Sequence, residues 1–355
     1  MDKKWIVFYI SSHGFGHMTR CLAIIEELLE KTDYSIYIAS GKFQNDFAGV
    51  YLEGHADRLL FRNIVTDIGL INNKNSLKVD TEKLQKELFN FTAGWDTVSD
   101  EEFYILSSFN ISCIISDISP IGALVAEKLG VRCIGISNFT WVEQYESLEL
   151  DCDIIQKYIE AYKKLDCFIE YELALPMESL KIPRLKTGFI SRKIDPARVE
   201  EIKQKHGNSI IITCGKSANL ENINVRNFDG CIFTTSGINI TGNNNVVKLP
   251  LNTPDTQNYI AAGSAVITKA GWGTISEAVI AKSKLVLIER EDVFEDTYSI
   301  TELKNRALAI SIKESALTNL DMVHLGQELN RNISLEKLNT YSDQTDYIIK
   351  ALELG

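Results

Sequence analysis

Short apolar runs alternate with helix-length amphipathic stretches along most of the chain, and two of those runs pass straight into glycine loops that open helices. Residues 5–10, Trp-Ile-Val-Phe-Tyr-Ile, are continuously apolar, as a strand buried on both faces must be. The following helix carries Cys21, Leu22, Ile25, Leu28 and Leu29 on one face. Strands are expected next at 34–39, 113–116 and 131–136, with a helix at 121–129 and a long amphipathic stretch over 80–108. Strands that alternate with helices pair in parallel, with helices on both faces of the sheet. The pattern restarts in the second half, with strands at 209–213, 231–235, 246–249, 265–268 and 284–288.

The chain has 355 residues, and a single core rarely grows beyond about 250–300. Two domains are therefore expected. Residues 175–197 interrupt the alternation and hold three of the six prolines, Pro176, Pro183 and Pro196, which marks them as a linker. The fold class expected is α/β, with two doubly wound domains facing across a cleft. Residues 1–188 form the first and 189–340 the second, with a helix at 341–355 packing back on the first.

Composition narrows the function. The net charge of −11 repels a phosphate backbone, so nucleic acid is not an expected partner. No stretch approaches the roughly 20 apolar residues of a membrane span, and residues 1–10 lack a cleavage site after their short apolar run. The seven cysteines are scattered without a Cys-x-x-Cys pair, as expected of reduced thiols in a cytoplasmic protein.

The first glycine loop, Ser11-Ser12-His13-Gly14-Phe15-Gly16-His17-Met18-Thr19-Arg20, follows the first strand. Loops at that end of a parallel sheet bind ligands. A third glycine and an acidic residue ending the second strand are both missing, which disfavours a dinucleotide. His17 is placed to act as a base, the alternative being a helix cap or a partner for a buried polar group. A His13–His17 metal pair is disfavoured, since the two are expected in a loop and no third ligand is apparent. Asp117 ends the strand at 113–116, where it can either fix the tautomer of His17 or cap the next helix.

The second loop, Lys269-Ala270-Gly271-Trp272-Gly273-Thr274-Ile275-Ser276-Glu277, also follows a strand, with its helix expected to start near Thr274. Free amides and the helix dipole make Gly271, Gly273 and Thr274 a diphosphate cradle that needs no metal. Spacing alone leaves Glu277 open between a ribose ligand and the last residue of a capping box with Thr274. Gly215 and Lys216, after the strand at 209–213, are further candidates for the phosphates. Asp151-Cys152-Asp153 imitates a metal-binding Asp-x-Asp but lies in a helical stretch, and reads as solvated helix charge.

His13-Gly14-Phe15-Gly16-His17 with Arg20 resembles the N-terminal loop of GT-B glycosyltransferases related to plant UDP-dependent glycosyltransferases and the lipid-II-forming N-acetylglucosaminyltransferase. The resemblance implies two Rossmann-like domains, the first on the acceptor side and the second binding a nucleotide sugar. It implies a base role for His17, and Ile114-Ile115-Ser116-Asp117 matches the context of the partner aspartate. Gly-x-Gly-Thr-x-x-Glu matches the donor loop, which implies diphosphate at Gly271, Gly273 and Thr274 and ribose at Glu277, while Gly16, where the backbone can approach a ligand closely, is a further donor-binding candidate. Gly14–Arg20, Ile115–Pro120, Ser137–Trp141, Lys269–Ala278 and Ile288–Asp292 also resemble the glycosyltransferase-like region of plant L-arabinokinases. The Gly-Phe-Gly-His-Met-Thr-Arg stretch is similar to a UDP-sugar hydrolase as well. The acidic residue and glutamine usual after the last donor-site strand are replaced by Glu289-Arg290-Glu291-Asp292.

The function expected is inverting, metal-independent transfer of a sugar from a UDP-linked donor to an undefined acceptor, with no cofactor. UDP-sugar hydrolysis, and a silent sugar-nucleotide-binding or kinase-partner role, are the alternatives.

Overall fold

A computed structural model describes residues 3–71, 73, 79–214, 220–290 and 293–353. The chain divides into two compact units, one of residues 1–187 and 345–355 and the other of 188–344.

The first unit contains strands β1 (Lys4–Ile10), β2 (Ser35–Ser40), β3 (Leu59–Asn63), β4 (Asn110–Asp117), β5 (Cys133–Ser137), β6 (Cys167–Glu170) and β7 (Arg184–Lys186). They form one parallel sheet in the order β3-β2-β1-β4-β5-β6-β7. Its helices are α1 (Gly16–Lys31), α2 (Lys42–Tyr51), α3 (Thr81–Ala93), α4 (Trp95–Leu106), α5 (Pro120–Leu129), α6 (Trp141–Ser147) and α7 (Cys152–Tyr162). The strand order reverses between β1 and β4, and ligands bind such sheets at this switch point. Ile10 and Asp117, the last residues of β1 and β4, lie side by side there.

The second unit contains β8 (Ser209–Thr213), β9 (Leu220–Arg226), β10 (Cys231–Thr234), β11 (Ile238–Thr241), β12 (Val246–Lys248), β13 (Ala265–Lys269), β14 (Lys284–Glu289), β15 (Ala309–Lys313) and β16 (Leu320–Asp321). The main sheet runs β12-β10-β8-β13-β14-β15, again parallel, with its switch point between β8 and β13. A small sheet, β11-β9-β16, is separate. The helices are α8 (Pro196–His206), α9 (Thr256–Ala262), α10 (Trp272–Ile280), α11 (Phe294–Asn305), α12 (Met322–Asn332) and α13 (Leu335–Asn339). The last helix, α14 (Thr345–Glu353), belongs to the first unit and packs on α1.

Both sheets have the doubly wound order that strand–helix alternation predicts. β1 reads as a continuous apolar run because both of its faces are covered, with Val7 to Ile10 wholly buried. α5 starts on Pro120 and ends on Gly130 at φ 66°, a proline-first, glycine-last helix.

Several local readings need correction. The stretch at 80–108 is two helices, capped by Asp80 and broken at Gly94. Residues 175–197 hold the division between the two units, after Thr187, and they also carry a short strand and buried residues. β7 hydrogen-bonds to β6 within the first sheet, and Phe189, Ile190, Ser191 and Arg192 are buried in the second unit. No described helix is long and apolar enough to cross a membrane. All seven cysteines are free, and five are buried.

Candidate functional site

In the first unit the chain leaves β1 and turns at Gly14, whose φ of 71° favours glycine. Phe15 is the N-cap of α1, and the Thr19 amide donates to its carbonyl at 2.8 Å. His17 is thus the second residue of the helix rather than a loop residue, and Arg20 stands one turn on, over the same face. The loop is held by a carboxylate the sequence did not single out. Asp67 accepts from the Ser12 amide at 2.9 Å and from the Trp141 indole N–H at 2.9 Å. Burial pushes Asp67 up, against the opposing influence of His17 and these donors. Gly69 is required by packing, since a Cβ there would lie 1.8 Å from the His13 ring.

His17 and Asp117 meet. His17 Nδ1 lies 3.0 Å from Asp117 Oδ1, and Asp117 is wholly buried. Asp117 does not cap α5, whose N-cap is Ser119. Its oxygens are occupied by Arg20, with Nε donating to Oδ2 at 2.7 Å and Nη2 donating to Oδ1. The Cys21 thiol lies 3.2 Å from Oδ2. Burial alone would raise Asp117, but the charges of Arg20 and then His17 outweigh it and hold it well below the carboxylate range. Arg20 also donates to Asn138 Oδ1 and Ser137 Oγ, each at 2.9 Å, at the C-terminal end of β5. Ile118, directly after Asp117, has φ 50°, a strained value for a β-branched residue. Tyr162 fixes it by donating to its carbonyl at 2.7 Å.

In the second unit Lys269 ends β13, and its carbonyl accepts from the Gly271 amide at 2.7 Å. Gly271 is the N-cap of α10, so the helix starts at Trp272, two residues before the expected Thr274. Thr274 and Glu277 consequently form no capping box. Glu277 is instead buried against Arg192, whose Nε donates to Oε1 at 2.7 Å and whose Nη2 donates to Oε2 at 3.2 Å. Arg192 also donates to Thr256 Oγ1 and the Pro254 carbonyl. Each Glu277 oxygen keeps a second lone pair for another donor.

Gly273 and Thr274 lie in the first turn of α10, where backbone amides lack acceptors within the helix. Among the described residues other than its chain neighbours, the nearest atom to a Cβ built on Gly271 is Lys269 Cε at 3.8 Å, so packing against these residues does not demand glycine there. Burial, and then Arg290, pushes Lys269 down to about 8, against the pull of Asp296. Arg290 itself is locked to Asp296 through two bonds of 2.6 Å. Gly215 and Lys216 lie outside the described residues.

Among the described residues, Asp151, Cys152 and Asp153 are the one group of carboxylate, thiol and imidazole ligands close enough to hold a metal, and all three are exposed. Asp151 is engaged as the N-cap of α7, accepting from the Asp153 amide at 2.8 Å.

Residues 4–330 match the sequence profile of glycosyl transferase family 1. A curated relative, L-arabinokinase of Arabidopsis thaliana, is 24% identical over 315 residues, which is 84% of this chain but 29% of the relative. Among solved structures, the glycosyltransferase of kitacinnamycin superposes with a TM-score of 0.64 at 12% identity, covering 99% of this chain and 97% of that one. UGT89C1 of Arabidopsis thaliana, complexed with UDP-L-rhamnose, gives 0.61 at 11% identity, covering 99% and 95%. The chain has the GT-B fold and belongs to glycosyl transferase family 1.

Proposed function

We propose that the chain transfers a sugar, with inversion, from a UDP-linked donor to a hydroxyl of a small acceptor, without a metal or cofactor. The observation that carries this reading is the 3.0 Å contact between His17 Nδ1 and a wholly buried Asp117 at the sheet's switch point. With Nδ1 facing the carboxylate, Nε2 is the nitrogen that takes the acceptor's proton. As it does so, the acceptor oxygen bonds to the anomeric carbon. The bond from that carbon to the diphosphate breaks, and UDP leaves with the electron pair. One displacement by the acceptor inverts the centre.

In the second unit the amides of Gly271, Gly273 and Thr274, at the start of α10, receive the diphosphate. The Lys269 ammonium adds positive charge, and Glu277, oriented by Arg192, accepts from ribose. Gly16, Gly215 and Lys216 remain expectations of the sequence. The capture of UGT89C1 with UDP-L-rhamnose supports UDP as the carrier.

Calorimetric titration with UDP, GDP, dTDP, ADP and CMP, with and without a chelator, tests the donor. UDP is expected to bind best, with the chelator making no difference. Binding that needs a divalent metal would overturn the metal-independent reading, and binding of no nucleotide would overturn the donor site. Sugar release from donor alone, at a rate no acceptor improves, would make the enzyme a UDP-sugar hydrolase. Binding without any turnover would leave a silent sensor or kinase partner.

A further inference from the structure

Arg20 is the least expected member of the His17 site. It is a charged side chain, 2% exposed, placed one turn after the base on the same helix. A guanidinium has five hydrogens, and those on Nε and Nη2 face crowded neighbours. Nε–H goes to Asp117 Oδ2 at 2.7 Å, and Nη1 donates to Asn138 Oδ1 at 2.9 Å. Nη2 has only two hydrogens but three neighbours within bonding distance: Asp117 Oδ1, Ser137 Oγ at 2.9 Å and His17 Nδ1 at 2.7 Å.

The Ser137 hydroxyl oxygen also lies 3.3 Å from the Phe139 amide, so it already acts as an acceptor. If Nη2 serves Ser137 and the Asp117 carboxylate, no hydrogen is left for His17. Nδ1 must then carry its own proton and donate to Asp117 Oδ1 at 3.0 Å. The opposite assignment, with Nδ1 accepting from Nη2, would place the ring proton on Nε2 and remove the free base.

Charge points the same way. An anionic Asp117 beside the ring, unopposed, favours the imidazolium, which is useless as a base. The groups that face this cluster are Asp117 from β4, Arg20 and Cys21 from α1, Asp67 from the segment after β3, and Tyr171 beyond β6, whose ring lies 5.4 Å from the guanidinium carbon. Of these, Arg20 is the cation.

We propose that Arg20 is a positioning residue. It binds both oxygens of Asp117 and offsets its charge, so that His17 rests as a neutral ring with its proton on Nδ1 and its bare Nε2 outward. This rests on the proposed base role of His17, yet it concerns the resting protein and is testable without any substrate.

The test is nitrogen NMR of the whole chain labelled with ¹⁵N-histidine, His17 being assigned among the five histidines by its loss in His17→Asn. In the wild type at about pH 7.5 a neutral Nδ1–H ring is expected. In Arg20→Gln the ring should hold its second proton to a pH about one unit higher or more. Arg20→Lys, which keeps the charge but loses the fork, should fall nearer the wild type. An Nε2–H ring or an imidazolium in the wild type would overturn the proposal, and that result does not depend on any variant folding. So would an Arg20→Gln protein whose His17 titrates as in the wild type. Absence of turnover alongside the expected spectra would count against the proposed function and leave the role of Arg20 intact.

Discussion

Asp117 does two things at once, and its removal should show both. It faces His17 Nδ1 and it neutralises a buried guanidinium. Asp117→Asn leaves that cation without its counter-charge, a loss of about 3–5 kcal/mol by the usual cost of breaking a buried pair. The pH dependence has a definite sign. Because the folded protein holds Asp117 below the ordinary carboxylate range, its stabilising contribution is complete above the unfolded value of about 3.9. It is lost only as pH falls through the lower folded value. Urea unfolding should show the full deficit of the variant at neutral pH and a shrinking deficit in strong acid.

Lys269 supplies a second sign. The ammonium form attracts a diphosphate, and the side chain loses its proton above about 8. UDP affinity should therefore fall as pH rises through and beyond that value, and Lys269→Met should bind more weakly with a flatter profile. An unchanged profile in the variant would remove Lys269 from the donor site. His17 was readable from the glycine loop that follows β1 and opens α1, and Asp117 because it ends the apolar run of β4. Arg20, Asp67, Arg192 and Lys269 were not assigned roles. A charged residue in sequence is ordinarily solvated, and nothing local announces the distant partner that buries it. Arg20 meets a carboxylate 97 residues away and Arg192 one 85 residues away.

At the scale of elements, the sheets were legible where strands are buried on both faces, as in β1, β8, β13 and β14. They were illegible at the edge strands β3, β7 and β15 and in the small sheet. β3, Leu-Leu-Phe-Arg-Asn, lies at the edge with every residue partly or fully exposed, so its pattern carries little burial signal. β9, Leu-Glu-Asn-Ile-Asn-Val-Arg, is mostly polar, with consecutive polar residues at Glu221 and Asn222 that break a strand alternation, and it lies between two stronger runs. The helix α10 begins early because Gly271 takes the N-cap conformation at φ −72°, ψ 122°, ahead of the threonine that spacing favoured.

The docking of α14 on α1 gives a prediction of its own. Ile348 is wholly buried, whereas Asp346 makes an exposed ion pair with Lys31. Ile348→Ala should cost about 2–5 kcal/mol, the usual range for emptying a core isoleucine. Asp346→Ala should leave the unfolding midpoint close to the wild type, since exposed pairs contribute little. Equal losses in the two variants would mean that charge, not apolar packing, holds the helix.

For the molecule as a whole, the two units divide the proposed chemistry. In that proposal the first supplies the His17–Asp117 pair at the β1–β4 switch point, and the second supplies the start of α10 beside its own switch point between β8 and β13. Proton transfer to a positioned base commonly contributes about 10²–10⁴-fold to rate, while nucleotide binding is expected to rest on the second unit. Base and donor functions should therefore separate by mutation. The most direct measurement is UDP release from a panel of UDP-sugars, with and without hydroxyl acceptors, by the wild type and His17→Ala in the presence of a chelator. Acceptor-dependent UDP release is expected in the wild type. It should fall by about 10²–10⁴-fold in His17→Ala with UDP affinity preserved. Release that is equally fast in the variant would contradict the assignment of His17 as the base.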